Sequence, residues 1–206
     1  MNDIAEGFRR FTTEVFPAQA ALFERLATTQ QPSTLFIGCS DSRVVPELVT
    51  QSDPGELFVI RTAGNLVPPH APGAGADGVA ASIEYAVTVL GVTSVVVCGH
   101  SGCGAMTALS AGGDLAALPA VAAWLRHGEA AKARSDAGDF PAAEDKVAAL
   151  VRDNVLCQLA NLRTHPAVVR ALARNEVTLH GWVYDIASGS IEEFDTGGGH
   201  LLTPAG

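Results

Sequence analysis

Residues 34–43 read Thr-Leu-Phe-Ile-Gly-Cys-Ser-Asp-Ser-Arg, a short apolar run that stops at a cysteine and an Asp/Arg pair. Bounded by Gln31-Pro32 before it and by polar turn residues after it, the run fits a strand covered on both faces, as a parallel sheet requires. The same pattern returns at Leu57-Phe-Val-Ile60, at Ser94-Val-Val-Val-Cys98 and from Val177 to Tyr184. Between these runs lie stretches of helical periodicity at 45–50, 77–90, 105–110 and 118–133. A longer one, from about Pro141 to Leu162, carries Val147, Leu150, Val151, Val155, Leu159 and Leu162 on one face. A last helix follows His165-Pro166 and ends at Arg174. Strands alternating with helices predict an α/β fold, a mostly parallel central β-sheet flanked by helices. Ala187-Ser-Gly-Ser190 reads as a hairpin turn into Ile191–Phe194, an antiparallel C-terminal edge strand.

Upstream, Phe8, Phe11, Val15, Phe16, Leu22, Phe23 and Leu26 recur mostly three and four apart, with Pro17 interrupting them. This predicts an N-terminal helical arm of two short helices. The expected organisation is a single domain over 1–206, with the arm at 1–30 and the α/β core at 31–206. Gly128 to Glu144, poor in aliphatic anchors, reads as an exposed insertion.

With 48% hydrophobic and 17% charged residues in 206, the chain can bury a large core, which excludes wholesale disorder. Its net charge of -9 and the lack of any basic block argue against nucleic acid and anionic membrane surfaces as partners. No apolar run approaches the roughly 18 residues of a membrane span. Met1-Asn-Asp-Ile-Ala-Glu6 lacks the features of a signal peptide, so the expected localisation is cytoplasmic. Four cysteines, Cys39, Cys98, Cys103 and Cys157, are too few for a disulfide framework, which leaves core, nucleophilic or metal-ligand roles.

Ligand sites in open α/β sheets lie at the carboxyl ends of strands. Two of the expected strands end in reactive sequences: Cys39-Ser-Asp41-Ser-Arg43 and Gly99-His100-Ser-Gly-Cys103-Gly104. If those strands are neighbours, Cys39, His100 and Cys103 meet. Two thiolates and an imidazole suit zinc, and three protein ligands leave open the fourth position that a catalytic zinc needs. The structural alternative for each thiol is a small core residue, expected here for Cys98 and Cys157. Two thiolates also neutralise Zn²⁺ and weaken it as a Lewis acid. A carboxylate at Asp41 can then orient zinc-bound hydroxide, while a charge-assisted fork from Arg43 keeps it ionised and off the metal. The structural alternative for this pair is a local salt bridge or helix cap.

Cys39-Ser-Asp-Ser-Arg43, Phe58-Val-Ile-Arg61-Thr-Ala-Gly-Asn65-Leu, Ser82-Ile-Glu-Tyr85-Ala and Cys98-Gly-His-Ser-Gly-Cys103-Gly closely resemble the β-class carbonic anhydrases, in their plant and cyanobacterial branch. The resemblance extends to Gly7-Phe8, Phe16-Pro17 and His180-Gly-Trp-Val-Tyr184. It implies reversible hydration of carbon dioxide to bicarbonate and a proton, with one Zn²⁺ per chain on Cys39, His100 and Cys103 and the dyad at Asp41 and Arg43. It further implies a substrate pocket lined by Gln30, Phe58, Ala63, Tyr85 and Gly104, some reaching across from a second subunit of a homodimer or homotetramer. Ala63 stands where that branch carries a larger apolar residue. Phe36 stands where some bacterial members have the tryptophan of a non-catalytic bicarbonate site that shuts the enzyme at low pH. That argues against this regulation and leaves Arg61 a structural ion-pair role. Of the other histidines, His180 is expected as a hydrogen-bonded core residue, and His70 and His200 as solvated loop residues. Two alternatives stand beside this reading. One is hydrolysis of a CO₂ analogue, carbon disulfide or carbonyl sulfide; the other is a non-catalytic zinc or redox-sensing module closed by Asp41, against which the intact Arg43 argues.

Overall fold

Each of the apolar runs becomes a strand, and they lie side by side in one sheet. The computed structural model describes residues 3–72, 77–113, 115–195 and 198–202, the last stretch and residue 195 by their backbone. In chain order its elements are α1 (Ile4–Arg10), α2 (Phe16–Ala18), α3 (Ala20–Leu26), β1 (Thr34–Cys39), α4 (Pro46–Thr50), β2 (Leu57–Thr62), α5 (Gly78–Glu84), β3 (Ser94–His100), α6 (Gly104–Ala111), α7 (Pro119–Leu125), α8 (Glu129–Asp136), α9 (Ala143–Leu162), α10 (Pro166–Ala173), β4 (Thr178–Tyr184), β5 (Ile191–Asp195) and β6 (Gly198–Leu202). The strand order is β2-β1-β3-β4-β5-β6. The first four strands are parallel, and β5 and β6 add on antiparallel.

Ile191–Phe194 is therefore not the sheet edge. β6 pairs outside it, Ile191 opposite Leu202, and His200 lies in that strand opposite Glu193 rather than in a loop. Gly198-Gly199 reads locally as a turn, but an unpaired β5 edge offers a row of backbone donors and acceptors that the returning chain satisfies.

Continuous apolar runs bury both sheet faces. Leu35, Ile37, Val95 and Val97 pack with Val155, Leu162 and Val168, while Phe36, Val96 and Cys98 pack with Val59, Trp182 and Tyr184. Each such side chain is worth about 1.5–3 kcal/mol when buried, so these strands are the stable part of the molecule. Helix α9 lies against β3 and β4. A Cβ at Gly181 would stand 2.8 Å from both Val155 Cγ1 and Leu159 Cδ1, and one at Gly99 would stand 3.0 Å from Val155 Cγ2. The helix thus sits so close to the sheet that a side chain at either position requires Val155 or Leu159 to shift.

The helices depart from expectation in three places. The 77–90 helix is capped by Asp77, whose carboxylate accepts the Ala80 N–H at 2.7 Å, and runs from α5 into a π turn at Tyr85–Val89. The 118–133 helix is split by a 3-10 turn at Arg126–Gly128. The stretch after Gly128, expected as helix to 133 and as an exposed insertion to 144, is helix α8 as far as Asp136, with Ala131 and Ser135 buried. These small residues, four apart, let α8 lie close to α9 without the aliphatic anchors a sequence reading looks for, and Ser135 donates to the Lys146 carbonyl at 3.3 Å.

The residues up to Gln31 form one compact unit and those from Pro32 another. In the first, α1 continues through a π turn at Phe11–Val15 into α2, so Pro17 does not break the helix where it stands. The wider turn makes room for a ring that clashes with an α-helical carbonyl, and the break comes at Gln19. Phe11, Phe16 and Phe23 form an aromatic cluster, Phe16 and Phe23 stacked at 5.1 Å. None of these arm helices buries a residue. Among the described residues no helix is long and apolar enough to cross a membrane.

Candidate metal centre

Because β1 pairs with β3, Gly38 opposite Cys98, the two reactive strand ends are adjacent. Cys39 ends β1, His100 ends β3, and Cys103 is the N-cap of α6. Their ligand atoms all lie within 4.8 Å of one another, and all three residues are buried. His100 Nδ1 donates to the Ser101 carbonyl at 3.0 Å, which leaves the lone pair on Nε2. Nε2 itself is buried with no hydrogen-bond partner. An orphaned ring nitrogen costs about 1–3 kcal/mol, so its place beside two sulfurs marks a donor set waiting for an acceptor of lone pairs. The set fits zinc.

A hydrogen bond from the Cys103 thiol, against the cost of burial, holds the Cys39 thiol well below its ordinary value; His100 and the N–H groups of Asp41 and Gly64 assist. Cys103 is held above its ordinary value by the same bond and by burial. Burial works to lower His100, but the nearby Cys39 sulfur and its negative charge raise it overall. Cys98, one step inside the sheet, is pushed up to about 12 by burial, the behaviour of an inert core thiol.

Asp41 is turned onto Arg43. Its Oδ1 accepts the Arg43 backbone N–H at 3.0 Å and Nε at 2.9 Å, and its Oδ2 accepts an Nη at 2.7 Å. The guanidinium bonds, then the backbone N–H, hold the carboxyl well below the usual carboxylate range. Asp41 Oδ2 stands 3.8 Å from His100 Nε2, at the mouth of the donor set and outside hydrogen-bond reach. Arg43 also donates to the Gly102 carbonyl at 3.1 Å, tying the β1 loop to the β3 turn.

Arg61 makes no ion pair among the described residues. Its guanidinium donates to the carbonyls of Cys39 at 3.0 Å, Asp41 at 2.6 Å and Val44 at 2.8 Å. On the other strand end, Ser101 donates its N–H to the Tyr184 carbonyl at 2.9 Å, and its hydroxyl accepts the Ile186 N–H at 3.0 Å. A further wall, residues 63–67, was not foreseen as a structural unit. The Trp124 indole donates to the Ala63 carbonyl at 2.9 Å, and Gly64 donates its N–H to Cys39 Sγ at 3.4 Å. Asn154 donates to the Gly64 carbonyl at 2.9 Å, Gln158 accepts the Val67 N–H at 2.9 Å, and Asn161 donates to the Val67 carbonyl at 2.8 Å. Asn154 and Gln158 are fully buried. The available signal was three amides at i, i+4 and i+7 beside the apolar stripe of α9, a pattern that only a buried polar seam explains.

The expected pocket residues are spread out. Ala63 is exposed just past Thr62, which lies opposite Cys39, and Gly104 opens α6 beside Cys103. Phe58 lies opposite Leu35, four residues before the level of Cys39, which is about 13 Å back along the strand. Tyr85 pairs with it, ring centroids 5.9 Å apart, and is 42% exposed. One chain thus holds Phe58 and Tyr85 together but does not bring them to the triad. Gln30 is exposed at the end of the N-terminal unit. Phe36 is buried with its edge on Trp182, centroids 6.4 Å apart. His180 is not a core residue: 36% of its side chain is exposed, and its nitrogens meet Thr178 and Glu193 at 3.0 Å each. The strand face that carries it is polar at that end. His70 is exposed, 6.0 Å from the His165 ring.

Residues 34–191 match the family model described as carbonic anhydrase. A carbonic anhydrase of Pseudomonas aeruginosa is 58% identical over 195 residues, which cover 95% of this chain and 88% of that protein. Among solved structures, the β-carbonic anhydrase CcaA superposes with a TM-score of 0.89 at 41% identity, covering 98% of both chains. A structure from a study of two tetrameric β-carbonic anhydrases of Sordaria macrospora does so with a TM-score of 0.71 at 29% identity, covering 97% of this chain and 94% of that one.

Proposed function

The chain belongs to the β-class carbonic anhydrases, and from that premise we propose that it hydrates carbon dioxide reversibly to bicarbonate and a proton with one Zn²⁺ on Cys39, His100 and Cys103. The observation that carries this reading is the pose of Asp41, held by Arg43 through three hydrogen bonds and kept off a donor set whose His100 Nε2 has no partner. Zinc bound there supplies the Lewis acidity that ionises water near neutral pH.

The protein's own residues do the rest. Asp41, ionised at all working pH values because Arg43 depresses it, accepts an O–H at the mouth of the site and fixes its direction. Arg43, anchored on Gly102, stops the carboxylate from swinging in to close the site. The Gly64 N–H steadies the Cys39 sulfur. Phe58 and Tyr85 serve the site of a second copy in a homodimer or homotetramer, where with Gln30, Ala63 and Gly104 they line an apolar slot for carbon dioxide; the tetrameric enzymes of Sordaria macrospora support that assembly. Gln30 donates to a substrate oxygen as negative charge develops there. The setting proposed is cytoplasmic.

Stopped-flow CO₂ hydration with zinc quantified tests the reading, over pH values from about 6.5 to about 9 that bracket the ionisation of zinc-activated water. The parent is expected to carry one zinc per chain and to be fast. Asp41→Ala keeps the metal and loses about 100-fold or more in rate. A zinc-loaded parent that stays inactive at the alkaline end overturns the proposal.

A further inference from the structure

The bond between Trp124 and Ala63 and the bond between Gly64 and Cys39 belong to one peptide unit. The indole N–H meets the Ala63 carbonyl at 2.9 Å, and the N–H of the same peptide, that of Gly64, points at Cys39 Sγ, 3.4 Å away. We infer that Trp124 is a positioning residue for the metal-binding thiolate of Cys39, acting through the Ala63–Gly64 peptide. The inference rests on the zinc reading of the site.

Three physical facts carry it. A peptide is rigid and conjugated, so a donor on its oxygen fixes the plane and makes its N–H a better donor. The peptide lies where the chain changes conformation: Thr62 is extended, Gly64 sits at φ 74, ψ 24 and Asn65 is left-handed at φ 48. The following peptide is held separately, by Asn154 on the Gly64 carbonyl. Helices α7 and α9 therefore clamp consecutive peptides, but the α7 bond alone falls on the unit that touches sulfur. A hydrogen bond fixed on a metal thiolate withdraws charge from it and sets the metal–sulfur bond, and such outer partners typically change metal affinity or activity by about 10–100-fold.

Trp124 is half-buried, its ring edge-on to His127 with centroids 5.3 Å apart, and its open side borders a cavity of about 610 Å³ shared with His70 and His165. Trp124→Phe therefore deletes the N–H and keeps most of the packing. The expected result is zinc held about tenfold more weakly against a chelator. With cobalt(II) in place of zinc, the thiolate-to-metal charge-transfer band is also expected to shift. His127→Ala, which removes the ring neighbour and keeps the indole, should leave both readouts at the parent values.

The parent protein supplies a test that does not depend on the variant folding. Exchanging zinc for cadmium should move both the Gly64 amide and the Trp124 indole ¹⁵N resonances and leave the Trp182 indole in place. Trp124→Phe with parental zinc affinity and cobalt spectrum overturns the inference. So does a His127→Ala shift as large as that of Trp124→Phe, or a Gly64 amide that moves while the Trp124 indole does not. A parent that takes up neither zinc nor cobalt overturns the metal-site reading itself, a distinct failure.

Discussion

The Cys39 side of the metal centre is held by long side chains reaching in from other elements, while the His100–Cys103 side is held by hydroxyl groups and by backbone, its own and that at the end of β4. Arg61, from β2, gathers the carbonyls of Cys39, Asp41 and Val44, and Trp124 and Asn154 fix the segment against the Cys39 sulfur. Across the site, Ser101 bonds Tyr184 and Ile186, and the Cys103 carbonyl accepts both the N–H and the hydroxyl of Thr107, at 2.9 and 3.0 Å. One half is thus a strand-to-helix turn whose distant partners, at Tyr184 and Ile186, are backbone groups that substitution there does not remove. The other is a loop shaped by the side chains of distant residues, Arg61, Trp124 and Asn154. A single substitution far away in sequence can loosen the second kind and leave the first intact.

Four measurements break or sharpen that contrast. The largest effect belongs to the ligands, where the halves should be equal: Cys39→Ser and His100→Ala each leave a protein that loses its zinc on dialysis, by metal analysis. A His100→Ala variant that keeps zinc would mean the turn is not part of the centre. Next comes Arg61→Met, which keeps the stem and removes the three carbonyl bonds. It should cost about 2 kcal/mol, lower the melting temperature by about 5 °C, and reduce activity more than tenfold as Asp41 drifts.

Ser101→Ala should be milder, about 1 kcal/mol and about 3 °C, with activity near the parent value. A Ser101→Ala that costs more than Arg61→Met reverses the comparison. The smallest effect is on pH dependence. Asp185 is depressed by bonds from Ser188, chiefly, and from Ser101. A depressed carboxylate contributes stability that is present above its unfolded value, about 4, and is lost as pH falls through the folded value. The stability gap between parent and Ser101→Ala, from urea unfolding, should therefore narrow from pH 7 towards pH 3. A gap that widens would detach Ser101 from Asp185.

The same contrast explains what could be read in advance. Strands β1 to β4 and the triad were visible because unbroken apolar runs end in cysteine, histidine and charge, and because parallel neighbours bring such ends together. Arg61 was visible as a residue, but its partners are carbonyls, and backbone acceptors leave no mark in a sequence. Trp124, Asn154 and Gln158 act on residues that lie 61 to 91 positions away, so no local pattern announces them. The start of helix α8 fell within the expected 118–133 helix, but its end and its burial were hidden because Ala131 and Ser135 bury themselves by being small. β6 was hidden because its place is set by the unpaired edge of β5, a property of the folded sheet and not of its own glycines.

The glycine seat under α9 ties the thickness of the domain to the shape of its reactive corner. Val155 rests on Gly181 at a separation that an added methyl group would force to change, and the same helix carries Asn154, its neighbour, and Gln158, about a turn on, into the 63–67 segment. Anything that lifts the helix by the width of a methyl also withdraws those amides from the loop that faces Cys39. A side chain added at position 99 or 181 therefore bears on the metal centre as well as on the packing of the sheet. A protein engineer thickening that layer would be altering the grip on the metal without touching a ligand.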